Sequence, residues 1–163
     1  PYDDARLARW QRIAGPGRGV VDLPGWRVVG LDTEVMGTGH PQEAAQADFI
    51  RDAAAGIGDR RLALFLHKPV SLTVPEDPDF NMWVVPPEGR TALAPLLGHG
   101  GLRLVASGHL HIHHEERRGD VAWVWAPPLS FVADASQQQG MPGRHHHMAS
   151  RRVDRTGHLG QGP

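Results

Sequence analysis

Apolar residues along this chain gather in short runs that end on polar residues, and those runs predict its elements. Residues 26–31, Trp-Arg-Val-Val-Gly-Leu, read as a buried strand ending at Asp32-Thr33. Leu62-Ala63-Leu64-Phe65-Leu66 is a continuous apolar run, the pattern of a strand covered on both faces, and it delivers His67 to a strand end. Leu102-Arg103-Leu104-Val105-Ala106 is a further strand that runs into Ser107-Gly108-His109-Leu110-His111. Residues 112–118 and 121–126 then read as a hairpin across Gly119-Asp120. From residue 42 to about 55, Ala45, Phe49, Ile50 and Ala53 recur at helical spacing until Gly56 and Gly58 stop the pattern. A short helix is predicted over 91–97, with Pro95 tolerable only in its first turn.

The remaining segments carry little periodicity. Residues 1–25 are polar and turn-rich, and Gly15-Pro16-Gly17 breaks any helix begun by Leu7, Trp10 and Ile13. Residues 69–89 form a long loop rich in proline and acidic residues, of the length that binding loops and lids often have. Residues 136–163 hold few apolar residues and many Gln, Arg, His and Gly. That change predicts one domain over 1–132 and a disordered tail over 133–163.

Composition narrows the function classes. With 163 residues, 40% of them apolar, the chain can build one domain that buries roughly 70% of its unfolded surface. A net charge of −1 leaves no electrostatic footprint for nucleic acid or an anionic membrane, so a phosphate-bearing ligand must be held by a local site. The 20 glycines and 14 prolines indicate a loop-rich globular domain. The absence of cysteine excludes both a disulfide framework and a thiolate metal site. It also fits a reducing compartment, and with no signal-peptide pattern the expectation is a cytoplasmic protein.

Three histidines sit where strands end: His67, His109 and His111. Open α/β sheets place their ligands at strand C-termini. In an extended segment, residues two apart share a side, so His109 and His111 are expected to face one site, with Gly108 allowing the backbone to bend just before them. His67 lies 42 positions before His109, at the end of its own apolar strand. Neutral imidazoles in such positions are ligands for zinc, iron, manganese and similar ions.

The order of strand, Leu66-His67-Lys68-Pro69, long loop, helix, strand and Ser107-Gly108-His109-Leu110-His111 resembles the last two metal motifs of calcineurin-like metallophosphoesterases. Leu31-Asp32-Thr33, followed by a helix carrying Gln46, is similar to the preceding segment of the bacterial cyclic-nucleotide phosphodiesterase-like branch. The resemblance covers roughly residues 1–132. It implies an α/β fold in which this chain supplies the second half of a four-layer αββα sandwich. It also implies two divalent ions (Mn, Fe, Zn or similar), with His67 and His109 on the second ion, His111 on the first, and a small phosphoester as substrate.

The family's earlier motifs, Asp-x-His, Gly-Asp-x-x-Asp and Gly-Asn-His, are missing: Gly58-Asp59 and Gly119-Asp120 lack the later Asp, and Asn81 follows Phe80. The resemblance places them upstream of Pro1. Two divalent ions ~4 Å apart repel by about 4 kcal/mol even at the dielectric of water, and imidazoles cancel none of that charge. The expectation is therefore that this chain alone binds at most one ion, weakly, and turns over little. A non-catalytic metal-binding or interaction domain of the same ancestry is the alternative. Among other polar residues, Asp32 is expected to end its strand and support the turn, and His113, Asp77, Asp79 and Asn81 to be solvated. Trp123 and Trp125 are expected in the core, and the run His145-His146-His147 to be incidental.

Overall fold

In the computed structural model, the described residues are 3–72 and 82–128. Asp77, Asp79, Asn81, His145 to His147 and the expected tail lie outside them. Helix α1 (Asp4–Ala14) and strand β1 (Gly19–Leu23) precede β2 (Trp26–Gly30), α2 (Pro41–Ala55) and β3 (Arg61–Leu66). Two short helices, α3 (Pro87–Thr91) and α4 (Ala94–Leu97), lead to β4 (Leu102–Ser107), and a hairpin of β5 (His114–Arg118) and β6 (Val121–Trp125) follows.

All six strands join one sheet in the order β1-β2-β3-β4-β6-β5. The inner four, β2, β3, β4 and β6, run parallel, while β1 and β5 are antiparallel edges. Parallel neighbours finish on the same edge of a sheet. Leu66 therefore lies beside Ser107, and Ser107 beside Trp125. The chain leaves β4, arches past the end of β6, and enters β5 at His114 opposite Trp125. The result is a mixed α/β fold.

The helices cover one face. Leu62, Leu64 and Leu66 of β3, with Val29 and Val105, pack there with Ile50 and Ala53 of α2 and Leu96 of α4. Burying one such branched side chain contributes about 1.5–3 kcal/mol. Pro95 sits in the first turn of α4, where its missing N–H costs nothing. The opposite face is also apolar, carrying Val21, Val28, Ala63 and Phe65 by register, and Phe65 is 46% exposed. Among the described residues, no helix is long and apolar enough to cross a membrane.

Two expectations are corrected. The segment before residue 26 contributes a full strand: β1 pairs with β2 across Pro24-Gly25, with Gly25 at φ 74°. Two adjacent valines are too few to form a pattern in the sequence; pairing with β2 makes the strand. The helix over 91–97 is instead two short helices, α3 and α4, with Leu93 between them.

The β1–β2 turn is stapled by charge. Arg27 donates from Nε and Nη2 to the two oxygens of Asp22, at 2.8 and 2.7 Å, and Arg60 Nη1 lies 2.7 Å from the same carboxylate. These bonds, to Arg27 first and then to Arg60, hold the Asp22 carboxyl well below the usual carboxylate range. Its folded-state pKa is depressed, so its stabilisation is present above the unfolded value of about 3.9 and is lost as pH falls toward the native one. Asp22→Asn is expected to lower the melting temperature at pH 7, with the gap to the native chain narrowing steadily below about pH 4. Thermal melts across pH 2.5–7 check this, and a gap independent of pH would refute it.

Candidate metal centre

Two imidazoles and a carboxylate meet at the C-terminal edge of the parallel strands. One ligand atom from each of Glu34, His67 and His109 lies within 4.8 Å of the others. His67 follows β3 directly and His109 stands two residues beyond β4, so the parallel register of these strands delivers both. The ladder continues one step past the strands: the Gly108 N–H donates to the His67 carbonyl at 3.0 Å. The two rings approach to 3.0 Å between His109 Nδ1 and His67 Nε2, and their planes are tilted by 66°.

Glu34 reaches the site from the turn after β2, and a buried amide fixes that turn. Gln46 of α2, only 1% exposed, accepts the Asp32 N–H at 3.0 Å through Oε1 and donates to the Asp32 carbonyl at 2.8 Å through Nε2. The Asp32 carboxylate accepts the Glu34 N–H at 2.9 Å, so Asp32 supports the turn as expected. Thr33, fully buried, accepts the Lys68 N–H at 2.7 Å and so ties the turn to the residue after His67. From there the Glu34 carboxylate lies 3.6 Å from His67 Nε2 and 3.2 Å from Lys68 Nζ. Gly89 of α3 backs the same turn: a Cβ there would come within 2.8 Å of Met36 Cβ.

The backbone around His109 is strained. The Leu110 N–H donates to the Gly108 carbonyl at 2.8 Å across His109, whose φ is 67°, closing a tight turn of the rare γ type. His111 has φ 55°. Such conformations cost about 1–3 kcal/mol each for residues other than glycine. Leu110, buried between the two histidines, offsets a comparable amount. The extended geometry expected for residues 107–111 is therefore not found, and alternation does not relate His109 to His111. In the described residues His111 falls outside the three-ligand group.

Electrostatics favour the neutral imidazole at His109. Burial, and after it the adjacent His67, hold His109 below the ordinary histidine range. Trp83 backs the site, its ring centroid 5.5 Å from that of His109. The segment carrying it is anchored where the Val85 N–H donates to the Pro69 carbonyl at 3.0 Å. Metal–ligand bonds of about 2.1 Å put neighbouring ligand atoms roughly 3.0–3.4 Å apart. The His67–His109 spacing, with Glu34 close by, fits that requirement.

Glu34, Lys68 and Trp83 are site residues that sequence reasoning misses. Glu34 shares no motif spacing with the histidines; the one available signal is that a carboxylate falls four residues beyond the end of β2. His113 is exposed as expected, while His114 stacks on Trp125 with centroids 4.4 Å apart. Trp125 is buried and Trp123 packs against the core.

No protein-family model and no curated protein matches the chain. Among solved structures, a candidate 5'-nucleotidase from Staphylococcus aureus in complex with alpha-ketoglutarate is similar to it at 14% sequence identity and a TM-score of 0.41. The match covers 71% of this chain and 24% of that one, so the chain spans about a quarter of that protein's length. A likeness at that score settles neither fold nor chemistry, and the geometry above stands on this chain alone.

Replacing Gln46 by Leu strips the Asp32 main chain of both amide bonds and is expected to cost about 2–4 kcal/mol. Urea denaturation reads the cost. Mn²⁺ titration should show weaker binding in the same variant, because the Glu34 turn loses its anchor. An unchanged midpoint would show that the clamp does not hold the turn.

Proposed function

We propose that this chain carries the histidine side of a metal-dependent phosphoester hydrolase of the calcineurin-like type. The observation that carries the reading is the meeting of Glu34, His67 and His109 within 4.8 Å at the strand ends, in the sequence context Leu-His-Lys-Pro and Ser-Gly-His-Leu-His. The same resemblance supports the one sheet described here as half of a larger sandwich. The apolar second face around Phe65 is consistent with that arrangement.

Glu34, His67 and His109 would hold a divalent ion such as Mn²⁺, Fe²⁺ or Zn²⁺. Bound there, it would supply Lewis acidity toward a phosphoryl oxygen and a water of lowered pKa. The chain's own groups have distinct tasks. His67 and His109 would present ring nitrogens to the ion, and burial disfavours the protonated form of His109. Glu34 supplies the one carboxylate of the group. Against that single negative charge one divalent ion is balanced far better than two. Trp83 places its ring beside that of His109.

His111 as a ligand of another ion, and the carboxylates such an ion needs, belong to the complete domain in this reading. A domain that holds metal without turnover is the competing one, and upstream sequence and activity separate the two.

The purified chain is expected to bind one Mn²⁺ by calorimetry, with affinity falling roughly 100-fold or more in His109→Ala. Coding DNA read in frame upstream of Pro1 should contain Asp-x-His, Gly-Asp-x-x-Asp and Gly-Asn-His. The extended chain should hydrolyse bis-p-nitrophenyl phosphate with Mn²⁺, and His109→Ala should abolish that activity. Mn²⁺ binding with none of those motifs and no turnover would transfer the conclusion to the non-catalytic domain.

A further inference from the structure

The Glu34 carboxylate faces two different groups. One oxygen, Oε1, lies 3.6 Å from the His67 ring nitrogen, and the other, Oε2, lies 3.2 Å from the Lys68 ammonium. The carboxylate therefore stands between a ring that would hold an ion and a cationic side chain of the protein.

Lys68 is not a surface lysine that happens to lie nearby. Its side chain is only 19% exposed, against 45% for Glu34 and 56% for His67. Its main-chain N–H is held at 2.7 Å by the buried Thr33 hydroxyl, so the start of the side chain is fixed to the turn that carries Glu34. The ammonium has three donors and Glu34 engages it on one side, which leaves donor capacity for oxygens of a ligand. A lysine ammonium acts toward phosphate as a compact point charge.

Resting on the metal-centre reading, we infer that Lys68 is a phosphate-binding residue beside the ion that Glu34, His67 and His109 would hold. The charges fit. Glu34 and Lys68 cancel, imidazoles add no charge as metal ligands, and one divalent ion leaves a surplus of two positive charges. A phosphate monoester dianion matches that surplus. The phosphoryl group lies between that ion and Lys68.

The test uses the full chain, MnCl₂ and then inorganic orthophosphate as probes, in calorimetry and native mass spectrometry. Lys68→Met keeps most of the side-chain stem and removes the charge. It is expected to bind Mn²⁺ roughly tenfold more tightly, the effect of deleting a positive charge about 6 Å from a divalent ion. Its affinity for orthophosphate in the presence of Mn²⁺ should fall at least tenfold, and Lys68→Arg should restore most of it. Thermal melts of both variants establish that they fold, and the arginine variant keeps the question open to a decision if the methionine variant does not.

Orthophosphate binding unchanged in Lys68→Met would overturn the assignment while leaving the His109-dependent metal centre standing. Failure of the native chain to bind Mn²⁺ at all would remove the metal centre, and the role of Lys68 with it.

Discussion

The carboxylate of the candidate centre depends on one buried amide. Gln46 lies in the interior of α2, and its carboxamide satisfies both main-chain groups of Asp32 just after β2 ends. A buried amide that meets a backbone donor and acceptor together specifies a single conformation for that backbone. The Asx bond to Glu34 and the Thr33 bond to Lys68 both start from the turn it fixes. Helix packing against the sheet thus becomes the position of a carboxylate oxygen several ångströms away.

The other two ligands rely on a different rigid element, the parallel ladder of β3 and β4. Strands in parallel register end together, so histidines placed just beyond them meet without any specific contact to draw them in. The centre is therefore built from two independent supports, a helix-held turn and a strand-held pair. The strained turn at His109 lies where they join, and the buried Leu110 holds it there.

The sequence made the parallel core legible because its strands are continuous apolar runs, and with them the approach of His67 to His109. Glu34 stayed hidden because its place is set by a hydrogen-bond relay through Gln46, Asp32 and Thr33, which leaves no periodic trace. The expected partnership of His109 with His111 rested on an extended backbone. A three-residue turn at His109 replaces that backbone, while His111 still bears electrostatically on the His109 ring. The β1 strand was equally invisible, since its identity comes from its neighbour β2 and not from its own composition.

The strand order has a consequence for how the site comes into being. The strand β6 is made after β5, yet lies between it and β4. When a growing chain has reached residue 120, all three ligands have been synthesised, but the arch carrying His109 has nothing beneath its far end. Only insertion of residues 121–125 closes the sheet and gives β5 a partner. Non-local pairing of this kind is slow to form. Nascent chains would pass through a stage in which the histidines are present but the sheet that holds them side by side is not yet closed.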